Sequence, residues 1–289
     1  MSKLVLVTGG AGFIGSHLCE RLISEGHTVI SLDNYFTGSE ENHITGVDYR
    51  RGSTEVIEAF VPETPDLLFH LGEYSRTATA ITEPAVVWDL NIAGTLSVLE
   101  FCRTRKVPKL VYAGSSTKFA DTRADGTAGR DLSPYTWAKA INTEAVRNYG
   151  LWYNVPHAIV YFYNVYGPRE LSGRYGTVIE LFKQKYLNGE VLPVNGPGTQ
   201  TRTYTHVLDT VNALMLVGEK GEGDEYGIAS SDTYSTLDVA HLFSKNVEIL
   251  PQRRTSRPSS PVNTDKTKAL GWKSTHSLKE YVEACKTEK

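Results

Sequence analysis

The chain has 289 residues, of which 40% are hydrophobic and 22% charged, a composition typical of a globular enzyme with one large domain or two small ones. Its 30 Lys and Arg against 33 Asp and Glu give a net charge of -3, so we expect no nucleic-acid partner, which would need a broad basic field. The three cysteines lack metal-ligand spacing and suit a reducing cytoplasm, and no apolar stretch approaches bilayer length, so we expect neither a metal site nor a membrane partner.

The first half of the chain alternates short apolar segments with longer amphipathic ones. This alternation is typical of a parallel sheet covered by helices on both faces, and it predicts an α/β, doubly wound fold of the Rossmann type. In the longer segments, apolar residues such as Val87, Leu90 and Leu96 recur at near-helical spacing. The predicted strands are 4–7, 29–32, 48–51, 67–70, 109–113 and 158–162, and the predicted helices are 16–25, 55–60, 84–103 and 133–153.

After Pro168 the sequence changes in character, because glycine and proline become frequent. Such residues mark short elements joined by turns rather than another regular winding. We therefore predict a first domain over residues 1–166, completed by a return segment near 203–230. A smaller C-terminal domain would comprise residues 167–202 and 231–289.

A glycine-rich turn follows the first predicted strand. Gly9, Gly12 and Gly15 form a Gly-x-x-Gly-x-x-Gly pattern that leads directly into a helix, and Asp33 ends the second strand. Such glycines permit a tight turn and a close approach to a pyrophosphate, while the carboxylate accepts hydrogen bonds from ribose hydroxyls and repels a 2′-phosphate. A glycine turn can also be purely structural. The order of strand, turn, helix and acid nevertheless predicts an NAD site rather than an NADP site.

Tyr135 and Lys139 lie four residues apart on a predicted helix, hence on one face. An isolated tyrosine ionises near pH 10, so it can exchange protons with a sugar hydroxyl near neutral pH only if positive neighbours stabilise the phenolate. Lys139 is such a neighbour, and bound NAD+ would be a second. This spacing is also common on solvated helices, so the pair indicates a catalytic site only in combination with motifs elsewhere in the chain.

Several motifs together resemble the extended short-chain dehydrogenase/reductase family, and within it UDP-galactose 4-epimerase and its relatives. The resemblance covers essentially the whole chain and implies an NAD-dependent nucleotide-sugar epimerase. The motifs are residues 8–15, 33–34, 69–71, 91–95, 115–116, 135–139 and 164–169, together with the segment 198–209.

The resemblance implies roles for individual residues. Ser115, Tyr135 and Lys139 would be catalytic, with Ser116 as the alternative to Ser115 if the alignment slips by one. The implied cofactor-binding residues are Gly9, Gly12, Phe13, Ile14, Gly15, Asp33, Asn34, Ser53, Leu71, Asn91, Tyr135 and Lys139. The implied substrate-binding residues are Arg76, Ser115, Ser116, Lys118, Tyr135, Asn164, Arg202 and Arg257, of which the last two would bind the diphosphate. Asn91 is equally well explained as a helix-packing or capping residue.

The chain also departs from the family pattern. Sugar dehydratases carry Asp-Glu after the catalytic serine or threonine, and decarboxylating relatives place a glutamate where Thr117 lies here, so we expect epimerisation at C4 or simple oxidation. Arg76 and Lys118 replace neutral residues in two loops that border the sugar, which favours a sugar with an acidic or strongly polar substituent. Either side chain could instead pair with Glu73 or Asp121, or point into water. The resemblance further implies a homodimer through the helices 84–103 and 133–153.

Overall fold

The fold is taken from a computed structural model, which describes residues 1–116, 132–251 and 262–287. Its centre is a seven-stranded sheet whose neighbouring strands all pair in parallel. The strands are β1 (Leu4–Thr8), β2 (Thr28–Asp33), β3 (Val47–Arg51), β4 (Leu67–His70), β5 (Leu110–Ser115), β6 (His157–Phe162) and β11 (Gly223–Ile228). Their order across the sheet is β11-β6-β5-β4-β1-β2-β3.

Each face of the sheet packs against helices, which produces the predicted α/β Rossmann-like architecture. On one face, Val5 and Phe69 share a core with helices α1 (Phe13–Ser24) and α7 (Val207–Lys220). On the other, Leu6 and Tyr112 share a core with the helix that ends at Arg105. Because side chains alternate between the two faces and both faces are covered, the strands are apolar throughout.

The elements of the first half correspond to the predicted ones, with differences at two helices. The predicted helix 55–60 is a 3-10 turn, Thr54–Val56, followed by a single α-helical turn, α2 (Ile57–Phe60). The predicted helix 84–103 is interrupted by a π-helical segment. It comprises α3 (Pro84–Val87), the π segment Trp88–Ala93 and α4 (Gly94–Arg105). The predicted helix 133–153 is α5 (Pro134–Tyr153), which begins at a capping box formed by Ser133 and Thr136.

The helical segment Pro84–Arg105, taken together with its π-helical part, has the length and the apolar composition of a membrane-spanning helix. We expected no apolar stretch of bilayer length, and judged by length and composition alone that expectation is wrong for this segment. The packing gives the physical reason for its apolar character, because Val98, Leu99 and Phe101 are fully buried against the sheet. A core helix of a globular protein has the same composition as a short membrane span.

The second half of the chain adds shorter elements around a third core, in which Phe182, Leu192 and Val239 are fully buried. The strand β11 leaves this part of the chain and extends the main sheet beside β6, so the sheet has one strand more than the six predicted. The other strands are β7 (Val165–Tyr166), β8 (Leu192–Asn195), β9 (Thr201–Thr203), β10 (Thr205–His206), β12 (Thr233–Ser235) and β13 (Val247–Leu250). The other helices are α6 (Val178–Leu187), α8 (Thr236–Phe243), α9 (Asp265–Ala269) and α10 (Leu278–Thr287).

Candidate functional site

A cavity of about 1130 Å³ lies at the carboxyl ends of the parallel strands. Open α/β sheets bind their ligands at this edge. The volume exceeds the roughly 300–1,000 Å³ of ordinary small-molecule sites, so the cavity has room for a large ligand such as a dinucleotide together with part of a second molecule. Its wall includes the segments that directly follow β1, β2, β4, β5 and β6.

The glycine turn has the geometry that a phosphate-binding loop requires. Gly9 has a φ of +75°, and a Cβ atom there would lie 2.8 Å from the Cα of Gly72. A Cβ atom on Gly15 would lie 2.0 Å from the carbonyl oxygen of Gly9, so neither position tolerates a side chain. Helix α1 begins at Phe13 without a side-chain cap, so its first amides remain available to an anion.

Asp33 lies at the end of β2 beside this turn, and its side chain is almost fully buried. The amides of Ala11 and Tyr35 donate to its two carboxylate oxygens at 3.0 and 2.8 Å. Burial raises the pKa of Asp33, and these two hydrogen bonds together with the nearby positive charge of Arg51 oppose that rise. The two hydrogen bonds thus orient the carboxylate, and each oxygen keeps a lone pair that can accept from a ribose hydroxyl.

The remaining predicted cofactor residues divide into two groups. Phe13, Ile14, Asn34 and Leu71 line the cavity. Ser53 does not line it, because its side chain caps the 3-10 turn that follows, while its neighbours Gly52 and Thr54 form the wall. A narrow glycine turn, an uncapped helix and an oriented carboxylate fit a dinucleotide such as NAD. Among the described residues, no group of three or more His, Cys, Asp or Glu side chains is placed to hold a metal.

The three predicted catalytic residues converge in one wall of the cavity. Tyr135 and Lys139 lie one turn apart on α5, and Ser115 ends β5 beside them. The Tyr135 hydroxyl donates to Ser115 Oγ at 3.4 Å, and the Lys139 ammonium donates to the carbonyl oxygen of Ala113 at 2.6 Å. All three side chains are nearly buried. Ser116 also lines the cavity, so both candidate serines are in reach of a ligand.

Glu73 forms an ion pair with Lys139, although sequence analysis assigned it no role at the site. Its side chain is 1% exposed and accepts hydrogen bonds from Asn142 and Tyr112 at 2.8 and 3.2 Å. His70 lies next to this cluster, between the hydroxyls of Thr8 and Thr95. Burial lowers the pKa of His70 to about 4, so the ring is neutral at neutral pH.

Asn91 supports the loop that carries Glu73. It lies in the π segment, is fully buried, and its side chain does not line the cavity. Its Oδ1 accepts from the amide of Tyr74 at 2.7 Å, and its Nδ2 donates to the Tyr74 carbonyl oxygen at 3.0 Å. The Asn91 side chain thus pairs with both backbone groups of Tyr74, as a neighbouring strand would. These contacts position the loop that forms the active-site wall.

Three aromatic rings pack together beside the cavity, and two of them, Phe36 and Tyr74, belong to its wall. Phe36, Tyr74 and Tyr175 lie with their ring centroids 5.3 to 6.2 Å apart. Glu83 accepts hydrogen bonds from both tyrosine hydroxyls and forms an ion pair with Arg174. The loop after β2, the loop after β4 and the segment near Tyr175 are therefore held together at this side of the cavity.

The predicted substrate residues are less uniformly placed. Arg76 lines the cavity and donates to the carbonyl oxygens of Ser75 and Tyr175, whereas Glu73 pairs with Lys139 and not with Arg76. Asn164 also lines the cavity, with its amide donating to Thr203 O at 2.8 Å.

Arg202 is not part of the cavity wall among the described residues. It lies on β9 and donates to Thr201 O and Gln200 Oε1. Burial lowers the pKa of its guanidinium, and the neighbouring Tyr204 opposes this. Lys118 and Arg257 lie outside the described residues, so their predicted roles stay predictions.

Glu73, Glu83 and Tyr175 were missed because their places depend on contacts between distant segments. A sequence signal existed for Glu73, since a carboxylate three residues after the end of a buried parallel strand lies at the ligand-binding edge of the sheet. No comparable signal marks Glu83 or Tyr175.

Known proteins agree with this geometry. The sequence model of the NAD dependent epimerase/dehydratase family matches residues 5–229. A UDP-N-acetyl-alpha-D-glucosaminuronate decarboxylase from Bacillus cytotoxicus is 31% identical over 259 residues, which cover 83% of this chain and 79% of that protein.

Two solved structures are similar over nearly the whole chain. The UDP-glucose 4-epimerase of Thermotoga maritima, determined with UDP-glucose, has a TM-score of 0.90 and 27% identity, and the match covers 99% of this chain and 100% of that one. The UDP-glucose 4-epimerase of Thermus thermophilus, determined with NAD, has a TM-score of 0.88 and 29% identity, with 96% of each chain covered.

The family match spans most of the chain and includes the glycine turn, Asp33 and the catalytic trio. The predictions of family, Rossmann-like fold and NAD as cofactor are confirmed. The chain belongs to the NAD dependent epimerase/dehydratase family, as an enzyme of the extended short-chain dehydrogenase/reductase type.

Proposed function

We propose that this enzyme epimerises a UDP-linked hexose, or a derivative of one, at C4 through a transient 4-keto sugar. The observation that carries the proposal is the hydrogen bond between Tyr135 and Ser115 beside Lys139, in the wall of the NAD-binding cavity. It is further supported by the similarity to two UDP-glucose 4-epimerases.

Each catalytic side chain has a distinct task in this mechanism. Tyr135, as phenolate, removes the proton from the C4 hydroxyl, and Ser115 donates a hydrogen bond to the same oxygen. Lys139 is held in place by Ala113 and Glu73 and stabilises the phenolate. NAD+ supplies the hydride acceptor and, once reduced, the hydride donor. After the keto sugar turns within the cavity, Tyr135 returns the proton to its oxygen, so the cycle has no net redox change.

The substrate side of the proposal concerns the diphosphate and the sugar substituent. We propose that Asn164, Arg202 and Arg257 contact the diphosphate, and that Arg76 and Lys118 favour an acidic or strongly polar substituent. Arg76 supports this because it lines the cavity that also contains Ser115 and Tyr135. Alanine at Arg202 should raise KM for every nucleotide sugar, whereas alanine at Arg76 should change the ranking among sugars. An equal loss on all sugars for the Arg76 variant would contradict its assignment.

The second candidate is decarboxylation of a UDP-linked uronic acid, which also begins with oxidation at C4. The 31% identity to a UDP-sugar decarboxylase favours it. Thr117, where decarboxylating relatives place a glutamate, argues against it. A 4-dehydrogenase that releases the keto sugar is a further alternative, while a 4,6-dehydratase or a sensor without catalysis is a weaker one.

The test is product analysis with catalytic NAD+ and a panel of UDP-linked hexoses and uronic acids. An epimerase forms an isomer without net NADH. Release of CO2 would instead indicate decarboxylation, and accumulation of NADH would indicate a dehydrogenase.

Tyr135→Phe should keep cofactor binding and lower turnover by about 10² to 10⁴-fold, the usual contribution of a general acid/base. Near-normal turnover of this variant would remove Tyr135 from its role.

We also propose a homodimer in the cytoplasm, built on the helices Pro84–Arg105 and Pro134–Tyr153. Large apolar side chains are exposed on both helices, and the rings of Trp88 and Trp137 lie 5.5 Å apart. Trp137→Glu should therefore yield monomers in sedimentation analysis. Leu208→Glu, at an exposed apolar residue on α7, is the matched control and should leave the dimer intact. A dimer that survives the Trp137 change would contradict this interface.

A further inference from the structure

Glu73 introduces a negative charge beside the lysine of the catalytic wall. Its carboxylate is 1% exposed and forms an ion pair with the Lys139 ammonium, which is 7% exposed. Both residues also belong to the wall of the NAD-binding cavity. Burying two charges is costly, and it is tolerated when each charge is paired and hydrogen-bonded, as both are here.

Among the described residues, the side chains other than Lys139 that hydrogen-bond to Glu73 or to His70 beside it are uncharged near neutral pH. Burial lowers the pKa of His70, on β4, to about 4, so that the ring is neutral. Burial also raises the pKa of Tyr112, on β5, well above its usual value, so its hydroxyl stays protonated and donates to Glu73. Thr95 on α4 and Asn142 on α5 are neutral donors to the same carboxylate. Tyr135, one turn before Lys139, and the cationic Arg76, which interacts electrostatically with Tyr135, are further titratable groups of the cavity wall.

The consequence is a pair with no net charge. A lone buried ammonium would repel the positively charged ring of oxidised NAD and would leave the uncharged ring of reduced NAD unaffected. With Glu73 present, that repulsion is cancelled within the protein.

We propose that Glu73 is a positioning and charge-balancing residue, which fixes the Lys139 ammonium and prevents its charge from weakening the binding of NAD+ relative to NADH. Such a charge balance suits an enzyme that must begin each cycle with the oxidised cofactor. The inference rests on NAD binding and on the position of Lys139 given under the proposed function. It does not depend on which sugar is the substrate.

A purely structural ion pair would behave differently. If Glu73 only holds the loop of residues 72–76 to α5, its removal should lower stability and weaken both forms of the cofactor equally. Charge balance instead requires that the ratio of the two affinities changes. Glu73→Gln suits this comparison, since the amide keeps the shape of the side chain and one acceptor oxygen, in place of the Oε2 that accepts from Lys139 and the Oε1 that accepts from Tyr112 and Asn142.

The experiment is titration of the purified full-length protein with NAD+ and with NADH, followed by tryptophan fluorescence. For Glu73→Gln we expect the ratio of the Kd for NAD+ to the Kd for NADH to rise about tenfold, on the order of the effect of one unit charge in a half-buried site. Asp224→Asn removes a largely buried carboxylate outside the cavity wall and is the matched control, for which the ratio should not change. Because no turnover is measured, a failure of the epimerase proposal would not affect this result.

A double variant that restores the net charge of the pair provides a second test, because it should also restore the affinity ratio. In Glu73→Gln combined with Lys139→Met the pair is again neutral, so the ratio should return to within about threefold of the wild-type value. Lys139→Met alone should shift the ratio toward NAD+, and it decides the matter if Glu73→Gln does not fold. An unchanged ratio in the single variants, or an equal loss of both affinities, would overturn the inference.

Discussion

Replacing Asn91 by leucine should destabilise the protein through the loop that forms the active-site wall. Asn91 is fully buried, and its side-chain amide satisfies both the amide and the carbonyl group of Tyr74, which is itself 3% exposed. Leucine has the same number of side-chain heavy atoms with the same branching, so the change opens no cavity. It removes two hydrogen bonds and leaves two buried backbone groups without partners.

The expected magnitude follows from those two groups. A buried backbone group without a partner costs about 1–3 kcal/mol, so the free energy of unfolding should fall by about 2–6 kcal/mol. Urea unfolding measures this as a lower midpoint at an unchanged slope. Since Tyr74 directly follows Glu73 and precedes Arg76 by two residues, turnover should also decrease in the folded fraction.

Ser97→Ala provides the matched control on the same helix. Ser97 is half-buried, and its replacement should change the free energy of unfolding by no more than about 0.5 kcal/mol. If Asn91→Leu costs less than about 1 kcal/mol while Ser97→Ala behaves as expected, the loop does not depend on Asn91 and our account of this residue is wrong.

Three further predictions concern the cofactor, the serine and a buried acid. Asp33→Asn should weaken NAD binding while leaving NADP binding little changed. If a titration gives the variant the same NAD affinity as the wild type, the assignment of Asp33 is wrong. Ser115→Ala should lower turnover with little change in affinity and Ser116→Ala should do less, whereas the opposite ranking in steady-state kinetics would move the role to Ser116. Burial raises the pKa of Glu170 from 4.5 to about 8, against the opposing effects of Thr177 and Arg76. Its contribution to stability is therefore largest below pH 4.5 and is lost as the pH rises through 8. Glu170→Gln should gain stability relative to the wild type between pH 5 and pH 9, by up to about 4 kcal/mol in thermal or urea unfolding, and a constant difference across that range would refute this.

The main sheet could be predicted from the sequence because its strands are short apolar runs separated by amphipathic helices. The strands from β1 to β6 and the helices α1 and α5 end within a few residues of their predicted bounds. β11 was not predicted, since Gly223–Ile228 carries polar residues in its first half and its identity as a strand depends on pairing with β6. The π segment Trp88–Ala93 likewise follows from tertiary packing rather than from local propensity.

In the candidate site, too, some features follow from local sequence and others depend on contacts between distant segments. The glycine turn and the pair Tyr135 and Lys139 have local spacing that predicts their geometry, and the structure places them in one cavity. Glu73 is 66 residues from Lys139 in sequence, so its ion pair depends on how the loop after β4 meets α5. Arg202 was chosen from a segment that resembles the family, but its direction is set by the pairing of β9 with β12, which local sequence does not specify.

Hydride transfer to and from C4 is the central claim of this account, and a substrate deuterated at C4 tests it most directly. The enzyme would be incubated with catalytic NAD+ and the UDP-linked hexose that the product panel identifies, and the isomer analysed by NMR spectroscopy. Transient oxidation at C4 predicts an inverted product that keeps deuterium at C4, with the label absent from solvent and from free NADH. Loss of the label to water, or its accumulation in released cofactor, would contradict the mechanism.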